Sequence, residues 1–219
     1  MKINIINQDK KQNKISFMLE DTTPAFANLI RRIIIGTVPT IAIEDIEFKY
    51  NDSILYDEMI ALRLGLIPLT TDLKTYNFPE NCKCKGKGCA RCSVVLSLKA
   101  KGPATVYASD LKSKDPKIKP VFPETPIVKL LKGQKLELIA TAVLGKGRNH
   151  IKWGPGTAFY QYKPIIELNN CTNEKIVEIC PKQIFQLKNN KIVVNKDKIF
   201  DCHLCGACTD ECKDGSIKV

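Results

Sequence analysis

Residues 21–39 read DTTPAFANLIRRIIIGTVP, and this stretch predicts one apolar helix. Thr23 suits the N-cap and Pro24 the first helical position, while Gly36 marks the end of the helix. A surface helix of a monomer needs only about a 100° apolar stripe. The apolar side chains here recur at helical spacing over most of the circumference (Phe26, Leu29, Ile30, Ile33, Ile34, Ile35). Two interpretations remain open: a central core helix, or a helix shared with a partner subunit.

The sequence on both sides of this helix predicts β-structure. Residues 3–19 alternate around a polar turn, which indicates a β-hairpin with one buried face. Residues 41–50 indicate a strand with a bulge at Glu44–Asp45, and the stretch YDEMIALRLGLIPL (56–69) indicates a short helix that ends at Gly65, before Pro68. Further strands are expected at 93–100, 104–111 and 134–145, with an extended proline-rich connector at 116–126. The last fifty or so residues change character and look like a separate small module, with a hairpin around Asn189–Asn190.

Composition and charge restrict the class of protein. The formal net charge of +11 favours polyanions or acidic protein partners without choosing between them. Residues 44–58 are acidic and residues 99–135 are basic, a polarity typical of a solvated face that could also orient the protein in an assembly. The ten cysteines have metal-site spacings, and the N-terminus lacks a signal-peptide core, so we expect a cytoplasmic protein with reduced thiols. No apolar run approaches roughly 18 residues, and no membrane span is expected.

A first cysteine set lies in residues 82–92, CKCKGKGCARC. Zinc takes four thiolates tetrahedrally at about 2.3 Å, and a structural zinc site is closed. The spacing therefore predicts zinc on Cys82, Cys84, Cys89 and Cys92. The alternatives are a loop without metal, holding reduced thiols or two disulfides, and an iron–sulfur cluster, which the C-x-C spacing disfavours.

A second set lies in residues 200–219, FDCHLCGACTDECKDGSIKV. Its C-x2-C-x2-C-x3-C spacing is that of bacterial ferredoxins, where the fourth cysteine ligates the other cluster and precedes proline. Cys212 precedes a lysine, whereas Cys180 precedes Pro181. We therefore predict one 4Fe–4S cluster on a remote cysteine and three local ones (Cys180, Cys202, Cys205, Cys208).

Other assignments of the second set stay open. In the preferred one, Cys171 and Cys212 are remnants of a second site, too few to hold a cluster alone. The rival is a purely local set with Cys212 as the fourth ligand, and a third possibility is no cluster at all. No catalytic residue is predicted, because the chain has two histidines, no recognisable nucleophile and no metal-binding carboxylate run.

Four stretches together resemble one family, the D-type subunit of archaeal DNA-directed RNA polymerase. That family is akin to the third-largest subunit of eukaryotic polymerase II and to the N-terminal domain of bacterial alpha. The resemblance covers nearly the whole chain in the expected order. The stretches are TPAFANLIRRIIIGTVPTIAIEDIEF (23–48), DEMIALRLGLIPL (57–69), CKCKGKGCARCSVVLSLKA (82–100) and HIKWGPGTAFY (150–160).

The resemblance implies an α+β fold in three parts. A discontinuous alpha-like dimerisation domain (1–40 and 148–170) would be interrupted by a mostly β insert domain (41–147) that carries the zinc loop at 82–92. A small ferredoxin-like iron–sulfur module would follow (171–219). The family normally continues with a further strand and a long C-terminal helix, so we expect the dimerisation domain to lack these elements here. The eukaryotic relative carries zinc in a similar loop, with slightly different spacing.

The resemblance also implies a function. Members of this family are non-catalytic assembly subunits of archaeal DNA-dependent RNA polymerase. They pair with subunit L, and with the small subunits N and P that heterodimer is the platform for the large catalytic subunits. The nucleotidyltransferase chemistry belongs to those other subunits, and DNA is reached only through the complex. One face of the helix at 24–35 would pack against its own chain and the other against subunit L, with the two arginines facing a large subunit. The residues of this interface would be Phe26, Leu29, Ile30, Arg31, Arg32 and Ile33.

Two alternatives of other classes remain at this point. A ferredoxin-type electron carrier or oxidoreductase subunit explains the last fifty or so residues but leaves the zinc loop and most of the chain without a purpose. A zinc-containing nucleic-acid binder agrees with the positive charge, but aromatic residues are sparse among the lysines of 99–135, so no stacking platform is evident.

Overall fold

The computed structural model describes residues 1–169, 171–188, 191–212 and 215–219. The chain divides into two compact units, Met1–Tyr160 and Gln161–Val219. Helices and strands are mixed, and the middle of the chain is rich in strands, which fits the α+β class. The predicted domain boundaries after residues 40, 147 and 170 stay a prediction, since compactness marks only the boundary after Tyr160.

The elements of each unit follow the chain. The first unit contains β1 (Lys2–Asp9), β2 (Lys14–Glu20), α1 (Pro24–Thr37), β3 (Pro39–Asn51), α2 (Asp57–Gly65), β4 (Ser93–Lys101), β5 (Ala104–Tyr107), β6 (Lys112–Ser113), β7 (Pro126–Leu130) and β8 (Lys135–Lys146). The second contains β9 (Glu167–Leu168), α3 (Lys175–Ile179), β10 (Phe185–Lys188), β11 (Lys191–Val194), α4 (Ala207–Glu211) and β12 (Ile217–Lys218). Within the described residues, no helix is long and apolar enough to cross a membrane.

An antiparallel sheet with strand order β3-β8-β4-β6 supports the middle of the chain. The predicted bulge is confirmed, because the β3–β8 register shifts between Ile43 and Asp45. Strand β8 alternates as expected, and its inward side chains are buried together with Ile60 and Leu64 of α2. Burial of each leucine or isoleucine among them contributes about 1.5–3 kcal/mol. The cysteine loop leads directly into β4, whose inward side chains pack in this core.

Helix α1 begins and ends close to the predicted positions. The Thr23 side chain accepts a hydrogen bond from the Phe26 N–H at 3.4 Å, which confirms the N-cap. The helix continues one residue beyond Gly36, to Thr37. Its last turn meets the end of β8, where a Cβ at Gly147 would lie 2.0 Å from the carbonyl oxygen of Ile35. Only glycine permits this approach of the two backbones.

The N-terminal hairpin is less buried than the sequence predicts. Strands β1 and β2 pair antiparallel from Lys2–Glu20 to Asp9–Lys14. The prediction of one buried face is wrong for this chain, because no residue of either strand is buried. A period-2 apolar pattern shows that a face avoids water, but it does not show which polypeptide covers that face.

The second unit has its own small core. Its buried members are Ile176, Ile184, Phe185, Cys212 and Ile217. Strands β10 and β11 form the predicted hairpin, although its turn at Asn189–Asn190 lies outside the described residues. The two ends of the unit are joined where β9 pairs with β12. A core of this size is thin for a unit of about sixty residues, and such small units often depend on a metal or a cross-link.

Candidate functional site

One face of α1 is apolar and exposed. Phe26, Leu29 and Ile33 lie at i, i+3 and i+7 and are 36%, 50% and 45% exposed. Ile30 is half-buried, and no residue of the helix is fully buried. The side chains of α1 are therefore more exposed than the sequence predicts. Within the described residues, α1 is not a core helix, and neither of its faces is fully packed.

The two predicted interface arginines lie on the same helix. Arg31 is half-buried, and its Nε and Nη2 donate to Asn28 Oδ1 at 3.1 and 2.9 Å. Arg32 is exposed. The Asn28 contact fixes the Arg31 guanidinium on the helix surface, beside the exposed apolar face.

The hairpin adds exposed apolar side chains that sequence reasoning had assigned to a buried face. Large apolar side chains exposed there belong to Met1, Ile3, Ile5, Ile6 and Ile15. Exposed apolar patches of this kind mark sites of interaction with another protein, a membrane or a ligand. The signal in the sequence was the alternating strand pair, a pattern that does not identify what covers its apolar face.

The first cysteine set converges on one point. The sulfur atoms of Cys82, Cys84, Cys89 and Cys92 all lie within 4.8 Å of one another. The Cys82–Cys89 and Cys84–Cys92 sulfurs are 3.5 Å apart, and those of Cys89 and Cys92 are 3.7 Å apart. Tetrahedral thiolates around one ion with bonds of about 2.3 Å would be about 3.8 Å apart. The loop can therefore hold a single metal ion.

Backbone geometry produces this convergence. Lys85, Gly86 and Gly88 have φ values of 53°, 80° and 82°, a left-handed conformation that glycine adopts without strain. The Cys89 N–H points to the Cys92 sulfur at 3.3 Å, as expected for a metal-binding thiolate. Strand β4 starts directly after the fourth cysteine, and the Ser93 N–H donates to the Cys89 carbonyl at 2.9 Å. The core of the sheet thus fixes one end of the loop.

Two hydrogen bonds hold the segment that precedes the loop, and sequence reasoning missed both. The hydroxyl of buried Tyr76 donates to Asp115 Oδ2 at 2.8 Å, and the Asn77 N–H donates to the Arg91 carbonyl at 2.8 Å. Burial, and then the bond to Asp115, raises the pKa of Tyr76 to about 12, so the phenol stays protonated and donating. A spacing pattern in the sequence does not predict contacts between residues this far apart along the chain.

The electrostatics of the loop favour a bound cation. A hydrogen bond with Cys92 lowers the pKa of the Cys84 thiol to about 7. Burial raises the pKa of the Cys92 thiol to about 12, since that side chain is only 1% exposed. All four sulfurs can be thiolates together at neutral pH only with a positive ion among them. Among the described residues, these four cysteines are the one group of three or more histidine, cysteine or acidic side chains whose ligand atoms lie close enough together to hold a metal ion.

The second cysteine set lines a shared cavity. Cys180, Cys202, Cys205 and Cys208 all face it, together with apolar side chains that include Ile184. The Ile184 N–H donates to the Cys180 sulfur at 3.4 Å. Burial raises the pKa of the Cys208 thiol, and the charges of Cys205 and Cys180 add to the rise. A 4Fe–4S cluster binds each thiolate through a different iron, so its ligands need not converge as they do around one ion.

The two remaining cysteines lie elsewhere in the second unit. The sulfurs of Cys171 and Cys212 are 3.2 Å apart, and neither residue lines the cavity. Cys212 is 4% exposed and belongs to the small core. The structure therefore brings the remote Cys180, rather than Cys212, to the three local cysteines. The assignment of a cluster to this set stays a prediction.

Comparison with known proteins gives one family. Residues 41–155 match the family model described as the RNA polymerase Rpb3/RpoA insert domain. This segment contains the bulged strand, the central sheet and the cysteine loop.

Three curated relatives carry the same name. A DNA-directed RNA polymerase subunit Rpo3 of Methanosarcina mazei is 44% identical over 222 residues, covering 100% of this chain and 83% of the relative. The Rpo3 subunits of Methanosphaera stadtmanae and Pyrococcus horikoshii are 40% and 42% identical, over 94% and 91% of this chain and 78% and 76% of each relative. The likeness therefore includes both compact units.

Proposed function

Because the chain belongs to the Rpo3 family of DNA-directed RNA polymerase subunits, we propose that it is a non-catalytic assembly subunit of an archaeal RNA polymerase. It acts in transcription in the cytoplasm, as part of a nucleotidyltransferase complex whose chemistry other subunits perform. Its direct partners are subunit L, as a heterodimer, the small subunits N and P, and the large catalytic subunits. It reaches DNA only through the complex.

The exposed apolar face of α1 is the observation that carries this proposal. The exposed parts of Phe26, Leu29 and Ile33 leave on the order of 1 kcal/mol per side chain unrealised, and a partner helix or sheet would recover it. The exposed isoleucines of β1 and β2 add apolar area to the same N-terminal segment. Subunit L covers the α1 face, and Arg31 and Arg32 face a large subunit beside it. The segments 1–40 and 148–170 form the dimerisation domain.

The two cysteine sets hold metals that stabilise the insert domain and the ferredoxin-like module. Zinc is the ion of the loop at 82–92, because four thiolates in a closed tetrahedral arrangement are the donor set it prefers. One 4Fe–4S cluster is held in the ferredoxin-like module by the four cysteines of the cavity. Both centres are structural: each fixes loops whose own core is small.

The alternative of a ferredoxin-type electron carrier or an oxidoreductase subunit accounts for Gln161–Val219 alone. Affinity capture separates the two functions. The full chain carries a tag and is produced in an archaeal host, and proteins retained at high salt are identified by mass spectrometry. We expect RNA polymerase subunits in stoichiometric amounts. Recovery of a redox enzyme without polymerase subunits would contradict the proposal.

Acidification is expected to release zinc from the loop. Protons compete with the ion for four thiolates, so zinc is retained at neutral pH and its affinity falls as the pH drops. Burial of Cys92 strengthens the competition, because its pKa in the metal-free loop is raised to about 12. Zinc content is measured after equilibration at about pH 7.5 and about pH 4.5 under reducing conditions. Cys92→Ser serves as the control and should lack zinc at both values. Full retention of zinc at the acidic value would show that thiolates are not its ligands.

A further inference from the structure

An open groove lies at the end of the central sheet where β3 and β4 finish and β8 begins. Its volume is about 270 Å³, and the lining residues on which the inference depends are Tyr50, Lys99, Lys101, Lys135 and Glu137. The strand register places Tyr50, Glu137 and Lys99 opposite one another across the three strands. These side chains therefore share one face of the sheet.

Positive charge dominates the groove. Lys101 lies directly opposite Lys135 on the neighbouring strand, and like charges at opposite positions of an antiparallel pair are destabilising. Lys99 forms an ion pair with Glu137 at 3.0 Å. Among the described residues that line the groove, Glu137 is the one carboxylate, so it neutralises one lysine of three. Two positive charges remain, and an anionic ligand would relieve their repulsion.

Charges beside the groove do not cancel this excess. The pKa of Glu137 lies below its ordinary value, because Lys99 hydrogen-bonds to it and the charges of Lys49 and Lys135 act on it as well. The Asp52 N–H donates to the Lys135 carbonyl at 3.0 Å, but the Asp52 side chain does not line the groove. Lys49 therefore balances Asp52 at the margin, and the excess of two charges stays in the groove.

The fold brings an aromatic ring to the lysines. Tyr50 lies outside residues 99–135, where aromatic residues are sparse, yet its side chain lines the groove and is 51% exposed. Lys135 Nζ lies 3.5 Å from the centroid of the Tyr50 ring. Bases of any sequence can stack on an exposed tyrosine ring. Lysines and an exposed ring in one groove are the elements with which proteins hold single-stranded nucleic acid.

We propose that this groove binds single-stranded RNA, with phosphates at Lys101 and Lys135 and a base at Tyr50. A groove of about 270 Å³ admits one strand, whereas a duplex could meet only its rim. RNA is favoured over DNA because the complex proposed above releases RNA as a single strand, so this choice rests on the proposed function. The chain would then contact the product of the complex directly, in addition to assembling it.

Crosslinking locates the bound strand. The full chain, with subunit L and again alone, is mixed with a single-stranded RNA of about ten nucleotides that contains 4-thiouridine. After irradiation and digestion, the crosslinked peptides are identified by mass spectrometry. We expect the crosslinks to concentrate at Tyr50 and in the segments 99–101 and 135–137. Crosslinks spread over the whole chain, without enrichment at the groove, would overturn the proposal.

Binding of the same RNA at several salt concentrations tests the lysines. Lys101→Gln combined with Lys135→Gln should lower the affinity at least about tenfold at about 0.1 M salt. The slope of log K against log salt should become shallower by about 1.4, the value for two phosphates of a single strand. Lys119→Gln combined with Lys129→Gln removes the same charge from exposed positions outside the groove. This control should stay within about threefold of the wild type. Equal weakening by both double variants would show attraction by net charge alone and would overturn the proposal.

Tyr50 is tested separately. Tyr50→Ala should weaken RNA binding about tenfold, and Tyr50→Phe, which keeps the ring, should bind as the wild type does. Unchanged affinity in Tyr50→Ala would contradict the base contact. The outcome is separable from the proposed function, because capture of polymerase subunits by a chain that does not crosslink to RNA would overturn the RNA site alone.

Discussion

Association with subunit L is expected to fail when Leu29 and Ile33 are both replaced by aspartate. The two side chains are half-exposed in the isolated chain, so burial of the remaining half in an interface contributes on the order of 1 kcal/mol each. Aspartates at these places would also have to be desolvated without a partner. The affinity should therefore fall at least about 100-fold. Titration of labelled subunit L with each variant, by fluorescence anisotropy, measures the change.

A matched double variant controls for the general effect of replacing two exposed apolar side chains by aspartate. Leu73→Asp combined with Leu131→Asp changes two side chains of similar exposure in the insert region. Surface changes outside an interface usually alter free energies by less than about 0.5 kcal/mol, so the affinity should change by less than about threefold. Equal weakening by both double variants would mean that α1 is not the interface.

Loss of the iron–sulfur cluster is expected in the Cys180→Ser variant. Cys180 faces the cavity together with the three local cysteines, and a serine hydroxyl is a poor replacement for a thiolate on iron. Iron and acid-labile sulfide should fall nearly to zero in protein purified without oxygen. Their content is measured by metal analysis, by the sulfide assay and by the visible absorption of the cluster.

The Cys212→Ser variant separates the two possible ligand sets. Cys212 contacts Cys171 and does not face the cavity, so this variant should keep its iron and sulfide. Zinc content should be unchanged in both variants, because the zinc loop belongs to the other compact unit. Iron lost from Cys212→Ser but kept in Cys180→Ser would favour the purely local set.

Local features of the fold could be predicted because they depend on neighbouring residues. The Thr23 cap, the end of α2 at Gly65 and the bulge before Asp45 follow from backbone and side-chain chemistry within a few positions. The convergence of the loop at 82–92 follows in the same way, since four cysteines and two flexible glycines in a short loop leave few other arrangements.

Features that depend on distant or foreign residues could not be predicted. The hairpin was expected to bury one face, yet Ile3 and Ile5 are exposed. The prediction was wrong because an alternating pattern shows that one face is apolar but does not show which polypeptide covers that face. The contact of Tyr76 with Asp115 joins residues 39 positions apart and has no periodic signal. The same holds for Cys171 and Cys212, which the sequence suggested were remnants and the fold places side by side.

We claim that another polypeptide covers the apolar face of α1. Sedimentation velocity of the wild-type chain, alone and with subunit L, checks this. Alone, the chain should self-associate into heterogeneous species, and one equivalent of subunit L should convert it into a single heterodimer. A chain that sediments alone as a homogeneous monomer, and whose sedimentation subunit L leaves unchanged, would contradict the claim.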